Sequence, residues 1–251
     1  MTSVKSIYEY INTFAPFETA MSFDNVGILI GDKNAKDDKI LVALDATKAV
    51  IDEAVRKNIK IIVTHHPVIF NPIKLLSSDS IPYLAAKYGI SIISAHTNLD
   101  IAENGVNDTL ALSIGVNIQK RFVEDCTLYG ELDREMSCRE FAESIKNSLG
   151  LKGLRFTDTG KNIRKITVSC GAGGECVFSA AKNGCDAIVT GEIKHHLINF
   201  ANDNNIAVFD LGHFQSEDMI IPLLVKKLNE QFPDTEFEQA ESDSDSILYL
   251  A

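Results

Sequence analysis

Side chains able to bind a metal ion or move a proton concentrate between Lys60 and Asp100. The stretch begins Lys-Ile-Ile-Val-Thr-His65-His66-Pro67 and ends Ile-Ser-Ile-Ile-Ser-Ala-His96-Thr-Asn98-Leu-Asp100. Each end is a β-branched apolar run that stops at histidine, the pattern of a buried parallel strand delivering side chains to the mouth of a sheet. Neighbours on an extended chain face opposite ways, so His65 and His66 can serve one small object only where the strand breaks into a loop. Pro67 favours that break, because it restricts the residue before it and cannot donate to a ladder. Further along, His213 and Glu217 stand four residues apart at a helix start, which puts imidazole and carboxylate on one face. Together His65, His66, Asp100, His213 and Glu217 offer three imidazoles and two carboxylates. That is more than one closed four-ligand site needs, and the mixed nitrogen and oxygen donors suit zinc, iron, manganese or nickel rather than calcium. A carboxylate bridging two ions is the economical arrangement.

Each feature also has a plainer reading. A single His-His pair is commonly structural, an isolated Asp100 can cap a turn, and His213 can simply hydrogen-bond Glu217. Gly171-Ala-Gly173-Gly174 follows a strand and opens a helix, so its N–H groups either hold an anion or form a tight turn for packing. Thr190-Gly-Glu192-x-x-His195-His196, with Lys194 as the nearest cation, is either a pocket cluster or a helix start whose Glu192 complements the dipole. Asp24-Asn25 reads as a turn and Asp45-x-Thr47 as an N-cap. There is no nucleophile elbow and no P-loop, and no serine or cysteine is visibly paired with a histidine.

The elements that must position these groups alternate between strand and helix. Strands are expected at Ile28–Ile30, Ile40–Leu44, the two histidine-ended runs, Leu128–Leu132, 154–157, 165–170, 186–190 and 206–210. Helices are expected after Ser3, over 48–58, around Val106 to Ile114, after the capping box Ser137-x-x-Glu140, over 174–183 and 194–203, and from Ser216 to about Gln231. An extended tail then ends Ile247-Leu-Tyr-Leu. All six histidines fall at or just after a predicted strand end, which is where open α/β sheets bind ligands. A weak echo relates Ala54–His66 to Ala181–His196 and 89–96 to 205–213, a duplication or the shared packing needs of βαβ units.

At 251 residues the chain suits one large or two small domains, and a linked pair of α/β domains is expected. Its net charge of −11 argues against nucleic acid or an anionic membrane as the main partner, while leaving room for a small anion if cations line its pocket. The five cysteines form no C-x-x-C, so free thiols in a reducing compartment are expected. The sequence shows no signal-peptide core and no apolar run near the roughly 18 residues of a membrane span. A cytoplasmic protein is the expectation.

Seven segments in order, Asp24-Asn25-Val-Gly27, Asp45-Ala-Thr47, His65-His66-Pro67, His96-Thr-Asn98-Leu-Asp100, Gly171-Ala-Gly-Gly174, Thr190-Gly-Glu192 with His195-His196, and Gly212-His213-Phe-Gln-Ser-Glu217, resemble the GTP cyclohydrolase I type 2 homologues. The resemblance implies two interlinked α/β domains with mixed sheets, a final helix returning to the first, a dinuclear metal site in the cleft between them, and a homohexameric ring. Residues 1–121 with 208–251 would form the domain carrying the ligands and 122–207 the second. His65, His66, Asp100, His213 and Glu217 would hold two divalent transition-metal ions per subunit, with Asp100 as bridge. His96 and the group Glu192, His195 and His196 would line the pocket. Histidines locked on metal cannot carry protons, so His96 and His195, with Glu192 orienting one imidazole, are the expected catalytic groups. The function implied is a metal-dependent hydrolase acting through a metal-activated water on a purine nucleotide or related phosphate-bearing small molecule. The alternative is a non-catalytic metal-binding regulatory or metallochaperone protein. Phe23 and Ser246 depart from the family pattern, and the central domain of longer members is absent.

Overall fold

The computed structural model describes residues 1–248 and residue 250. The chain forms two compact units, Met1–Ala102 with Ile220–Ser244, and Glu103–Met219 with the residues from Asp245 onward. It therefore passes from one to the other three times, and the α/β class with mixed sheets is observed.

The first unit is built on a five-stranded sheet in the order Glu236–Gln239, Lys39–Ala43, Ile61–Thr64, Ser91–Ser94, Gly27–Ile30. The first four run parallel and Gly27–Ile30 joins antiparallel at the edge. Ile61–Thr64 and Ser91–Ser94 are buried along their whole length, so alternation is absent and β-branched bulk fills both faces. Helix Lys48–Lys57 makes the first crossover. Thr47 caps it by accepting from the Val50 N–H, and Asn58 ends it in the left-handed conformation at φ 55°.

The second unit has six strands in the order Val116–Phe122, Thr127–Ser137, Asn162–Ser169, Ala187–Thr190, Ala207–Asp210, Arg155–Phe156. Its inner pairings, Asn162–Ser169 with Ala187–Thr190 and Ala187–Thr190 with Ala207–Asp210, are parallel, and the others are antiparallel. Ser137 and Glu140 form the expected capping box on helix Cys138–Ser148.

Three expectations are corrected. Residues 103–121 and 208–219 belong to the second unit, because Val116–Phe122 pairs with Thr127–Ser137 and Ala207–Asp210 pairs with Ala187–Thr190. His213 and Glu217 accordingly lie in the second unit rather than in the one that holds the other expected ligands. The helix expected from Ser216 to Gln231 is two helices, His213–Glu217 and Ile220–Gln231. Pro222 has no N–H to donate to the Asp218 carbonyl and its ring would crowd that carbonyl, which disfavours one continuous helix there. Within the expected extended tail, Glu236–Gln239 is a strand paired with Lys39–Ala43, and residues 246–248 carry no regular element. Tyr249, part of that expected tail, lies outside the described residues.

The returning segment is fastened by a buried carboxylate. Glu53 accepts from the Glu241 N–H at 3.1 Å, the Ser242 N–H at 2.8 Å and the Ser242 hydroxyl at 2.6 Å. Lys57 Nζ lies 2.9 Å from Glu53 and also meets Glu238 and Glu241. Burial pushes the Glu53 pKa up, but the hydrogen bonds from Ser242 and Lys57 outweigh it and lower the group to about 2. We expect Glu53→Gln to cost about 2–3 kcal/mol at pH 7, the worth of hydrogen bonds to a charged group. The folded pKa lies below the unfolded one, so this stability is full above the ordinary glutamate value of 4.5 and is lost as pH falls through about 2. Urea unfolding at pH 7 and pH 3 should show the gap between wild type and variant narrowing at pH 3, and an equal gap at both would reject the linkage.

Candidate metal centre

In the first unit the ladder outlasts the strand Ile61–Thr64. The His65 N–H donates to the Ala43 carbonyl at 3.1 Å and the His66 N–H to the Leu44 carbonyl at 2.9 Å. The Thr64 hydroxyl donates to the His66 carbonyl at 2.8 Å, closing the chain into the turn that Pro67 continues. Here two consecutive histidines leave the alternation of the sheet. Their ring centroids lie 5.0 Å apart, and the His96 ring lies 5.2 Å from His65 and 5.5 Å from His66.

Each imidazole of this group is oriented through Nδ1. His65, fully buried, donates from Nδ1 to the Ala95 carbonyl at 2.9 Å, while its Nε2 lies 3.4 Å from Asp100 Oδ1. His66 Nδ1 meets Asp45 Oδ1 at 2.9 Å and His96 Nδ1 meets Asp24 Oδ1 at 2.9 Å. Asp24 also accepts from the Thr97 N–H at 3.1 Å and the Thr97 hydroxyl at 2.5 Å. Burial raises its pKa, but the bonds from His96 and Thr97 prevail and bring it to about 2, so it stays ionised and accepts the His96 proton. Asp100 closes the short helix Thr97–Asp100, whose start is fixed by Asn98 accepting from the His96 N–H and donating to the Ala15 carbonyl.

In the second unit the strand Ala207–Asp210 ends, Gly212 turns at φ 93°, and helix His213–Glu217 begins. His213 Nδ1 meets Glu192 Oε1 at 2.9 Å and its Nε2 lies 3.1 Å from Glu217 Oε2. Gly171 makes room for this pair. A Cβ at Gly171, where φ is +54°, would stand 2.1 Å from Glu217 Oε1 and 3.1 Å from His213 Nε2. The Gly171 N–H donates to Ser216 Oγ at 2.9 Å, so this N–H serves packing rather than an anion. Glu192 therefore orients His213, whereas sequence proximity assigned it to His195 or His196. Those two histidines are exposed at the start of helix His195–Asp203.

Asp24 and Asp45 were missed as orienting groups because a turn and an N-cap explain them locally. Strand register would have found them. Ala43 pairs with Thr64, and continuing two residues brings Asp45 beside His66. Gly27 pairs antiparallel with Ser94, and continuing three residues brings Asp24 beside Thr97.

The donor chemistry fits a transition metal. His65, His66, His96 and His213 all engage Nδ1, which leaves Nε2 as the nitrogen for a cation, and a carboxylate or carbonyl behind the ring raises its basicity. One ring nitrogen each from His65, His66 and His96 falls within 4.8 Å of the others. The family model described as Duf34/NIF3 (NGG1p interacting factor 3) matches residues 2–246. The chain belongs to the Duf34/NIF3 family. It is 35% identical over 240 residues to a GTP cyclohydrolase 1 type 2 homolog of Clostridium acetobutylicum, covering 90% of this chain and 89% of that one. A homolog of the same name from Campylobacter jejuni is 32% identical over 230 residues, covering 90% and 91%. The crystal structure of a hypothetical protein of Staphylococcus aureus superposes with a TM-score of 0.89 at 26% identity, covering 99% of both chains. Among the described residues of this Duf34/NIF3 chain, no helix is long and apolar enough to cross a membrane.

Gly171→Ala should push Glu217 off its place beside His213 while the strands on either side keep their pairing. We expect metal affinity to fall by about 10–100-fold, the usual cost of disturbing the groups around a ligand. Metal titration checks this against a circular-dichroism spectrum that stays unchanged, and undiminished affinity would refute the packing role.

Proposed function

We propose that this Duf34/NIF3 protein is a dinuclear metal-dependent hydrolase acting on a purine nucleotide or related phosphate-bearing small molecule. One observation carries the reading: four imidazoles at strand ends each engage Nδ1 with an acceptor, the arrangement that turns Nε2 toward a cation. The names of the curated relatives supply the substrate class. His65, His66, Asp100, His213 and Glu217 are the proposed ligands, with Asp100 bridging. When bound, the ions supply Lewis acidity that makes a water acidic near neutral pH and polarises a substrate oxygen. Asp45 and Glu192 hold His66 and His213 in the ligating tautomer. His96, held by Asp24, and exposed His195 are the proposed proton carriers, and Lys194 is the cation nearest His195 in the chain. A homohexamer is the proposed assembly.

Elemental analysis of the purified protein followed by a nucleotide-library turnover screen tests the whole reading. A bridging carboxylate offsets the repulsion between two dications, so Asp100→Ala should lose both ions where His65→Ala or His66→Ala weakens one. Equal loss from all three would remove the bridge. His195→Ala should lower turnover by about 10²–10⁴-fold with metal content unchanged. Bound metal that exchanges readily, with no turnover of any nucleotide, would favour a metal carrier instead.

A further inference from the structure

We propose that His65, His66 and His96 form a three-histidine site, complete within the first unit, that takes up the first metal ion before His213 and Glu217 contribute. This deepens the role of His96, which the proposed function treats only as a proton carrier, and it rests on that reading for the identity of the other ligands.

The argument is geometric. The three rings stand in a nearly equilateral triangle, with centroid separations of 5.0, 5.2 and 5.5 Å. One nitrogen from each lies within 4.8 Å of the other two. Nδ1 is the engaged nitrogen on every ring, to the Ala95 carbonyl, to Asp45 and to Asp24. A carbonyl can only accept, so His65 carries its proton on Nδ1 and its lone pair on Nε2. An ionised carboxylate imposes the same tautomer on His66 and His96. With Nδ1 engaged on all three rings, Nε2 is the atom each would present to a cation. Three imidazoles and one further donor would complete a coordination set for zinc.

All three rings are fixed by the sheet of the first unit and its adjoining turns. His65 and His66 hang from a ladder that continues to Ala43 and Leu44, and His96 is anchored by Asp24 at its ring and Asn98 at its N–H. Asp100, 3.4 Å from His65 Nε2 and in the same unit, would close the set around the first ion as well as serve the second, so its loss would weaken both. His96 would serve as a proton carrier only while it is off the ion.

Cobalt(II) and zinc titrations of the full chain test this, with visible absorption of the cobalt form reporting coordination and thermal unfolding reporting the fold. Wild type should bind two ions per chain. His213→Ala/Glu217→Ala should still bind one, with the intense absorption of four-coordinate cobalt. Adding His96→Ala to that background should abolish or weaken this binding by at least about tenfold, and His96→Gln should do the same if alanine perturbs the fold. His96→Ala alone should reach two ions at saturation. The inference is overturned if His213→Ala/Glu217→Ala binds no metal, or if the triple variant binds one ion as tightly as the double. The first outcome with two ions on wild type leaves the dinuclear proposal standing. A wild type that binds one ion, unaffected by His213 and Glu217, would instead sink the dinuclear proposal and leave the three-histidine site in place.

Discussion

An imidazole is fixed in one orientation when a nitrogen is held as a donor, and that constraint shapes the architecture around His65, His66, His96 and His213. A carboxylate or carbonyl must stand behind the ring, at hydrogen-bonding distance, on backbone that does not move. The parallel sheets meet this need through their strand ends. Adjacent strands stop at the same level, so the residues just past one end lie beside those just past the next. Asp45 reaches His66 in this way from the neighbouring strand, and Glu192 reaches His213. Behind His65 the acceptor is the Ala95 carbonyl, just past the end of Ser91–Ser94.

Crowding is the consequence. A carboxylate, an imidazole, a hydroxyl and two loops converge near helix His213–Glu217, so the backbone there has no room for side chains. Gly171 is placed by Glu217, and a Cβ at Gly191 would stand 2.5 Å from Ser216 Oγ and 2.7 Å from the Gly171 carbonyl. Ser216 links the two layers by accepting from the Gly171 N–H and donating to the His213 carbonyl at 2.8 Å. The glycine-rich loop resembles an anion cradle in sequence, yet its glycines answer close packing, Gly171 against Glu217 and His213, Gly173 against Ser169, and Gly174 against Glu192 and Ile193.

The parts of the fold that were legible in the sequence are those where burial writes the pattern. The continuous apolar runs Ile61–Thr64 and Ala187–Thr190, the capping box at Ser137 and the stripe of helix Lys48–Lys57 fell close to their expected places. Val116–Phe122 was invisible because Asn117, Gln119, Lys120 and Arg121 make an edge strand look like a loop. Glu236–Gln239 was invisible for a related reason, since Phe237 is its one apolar side chain. The boundary near residue 121 failed through Val116–Phe122. Sequence order tied 103–121 to the unit before it, whereas hydrogen bonding assigns it to the sheet that follows.

The internal echo gains a physical meaning from the same geometry. Sequence similarity aligned His65-His66 with His195-His196, but Val63-Thr64 and Val189-Thr190 both end strands, and the residues that follow them directly are His65-His66 and Gly191-Glu192. The unit recurring in the structure is a carboxylate followed 21 residues later by the imidazole it orients, Asp45 with His66 and Glu192 with His213. In the first pair that spacing equals the register of the two strands, since Ala43 faces Thr64. In the second the register is 20, Thr190 facing Asp210, and Gly212 at φ 93° turns the chain so that His213, one residue later, meets Glu192. A glycine able to adopt that conformation therefore takes up the one-residue difference, and Gly212 is as necessary to the orientation of His213 as the carboxylate itself.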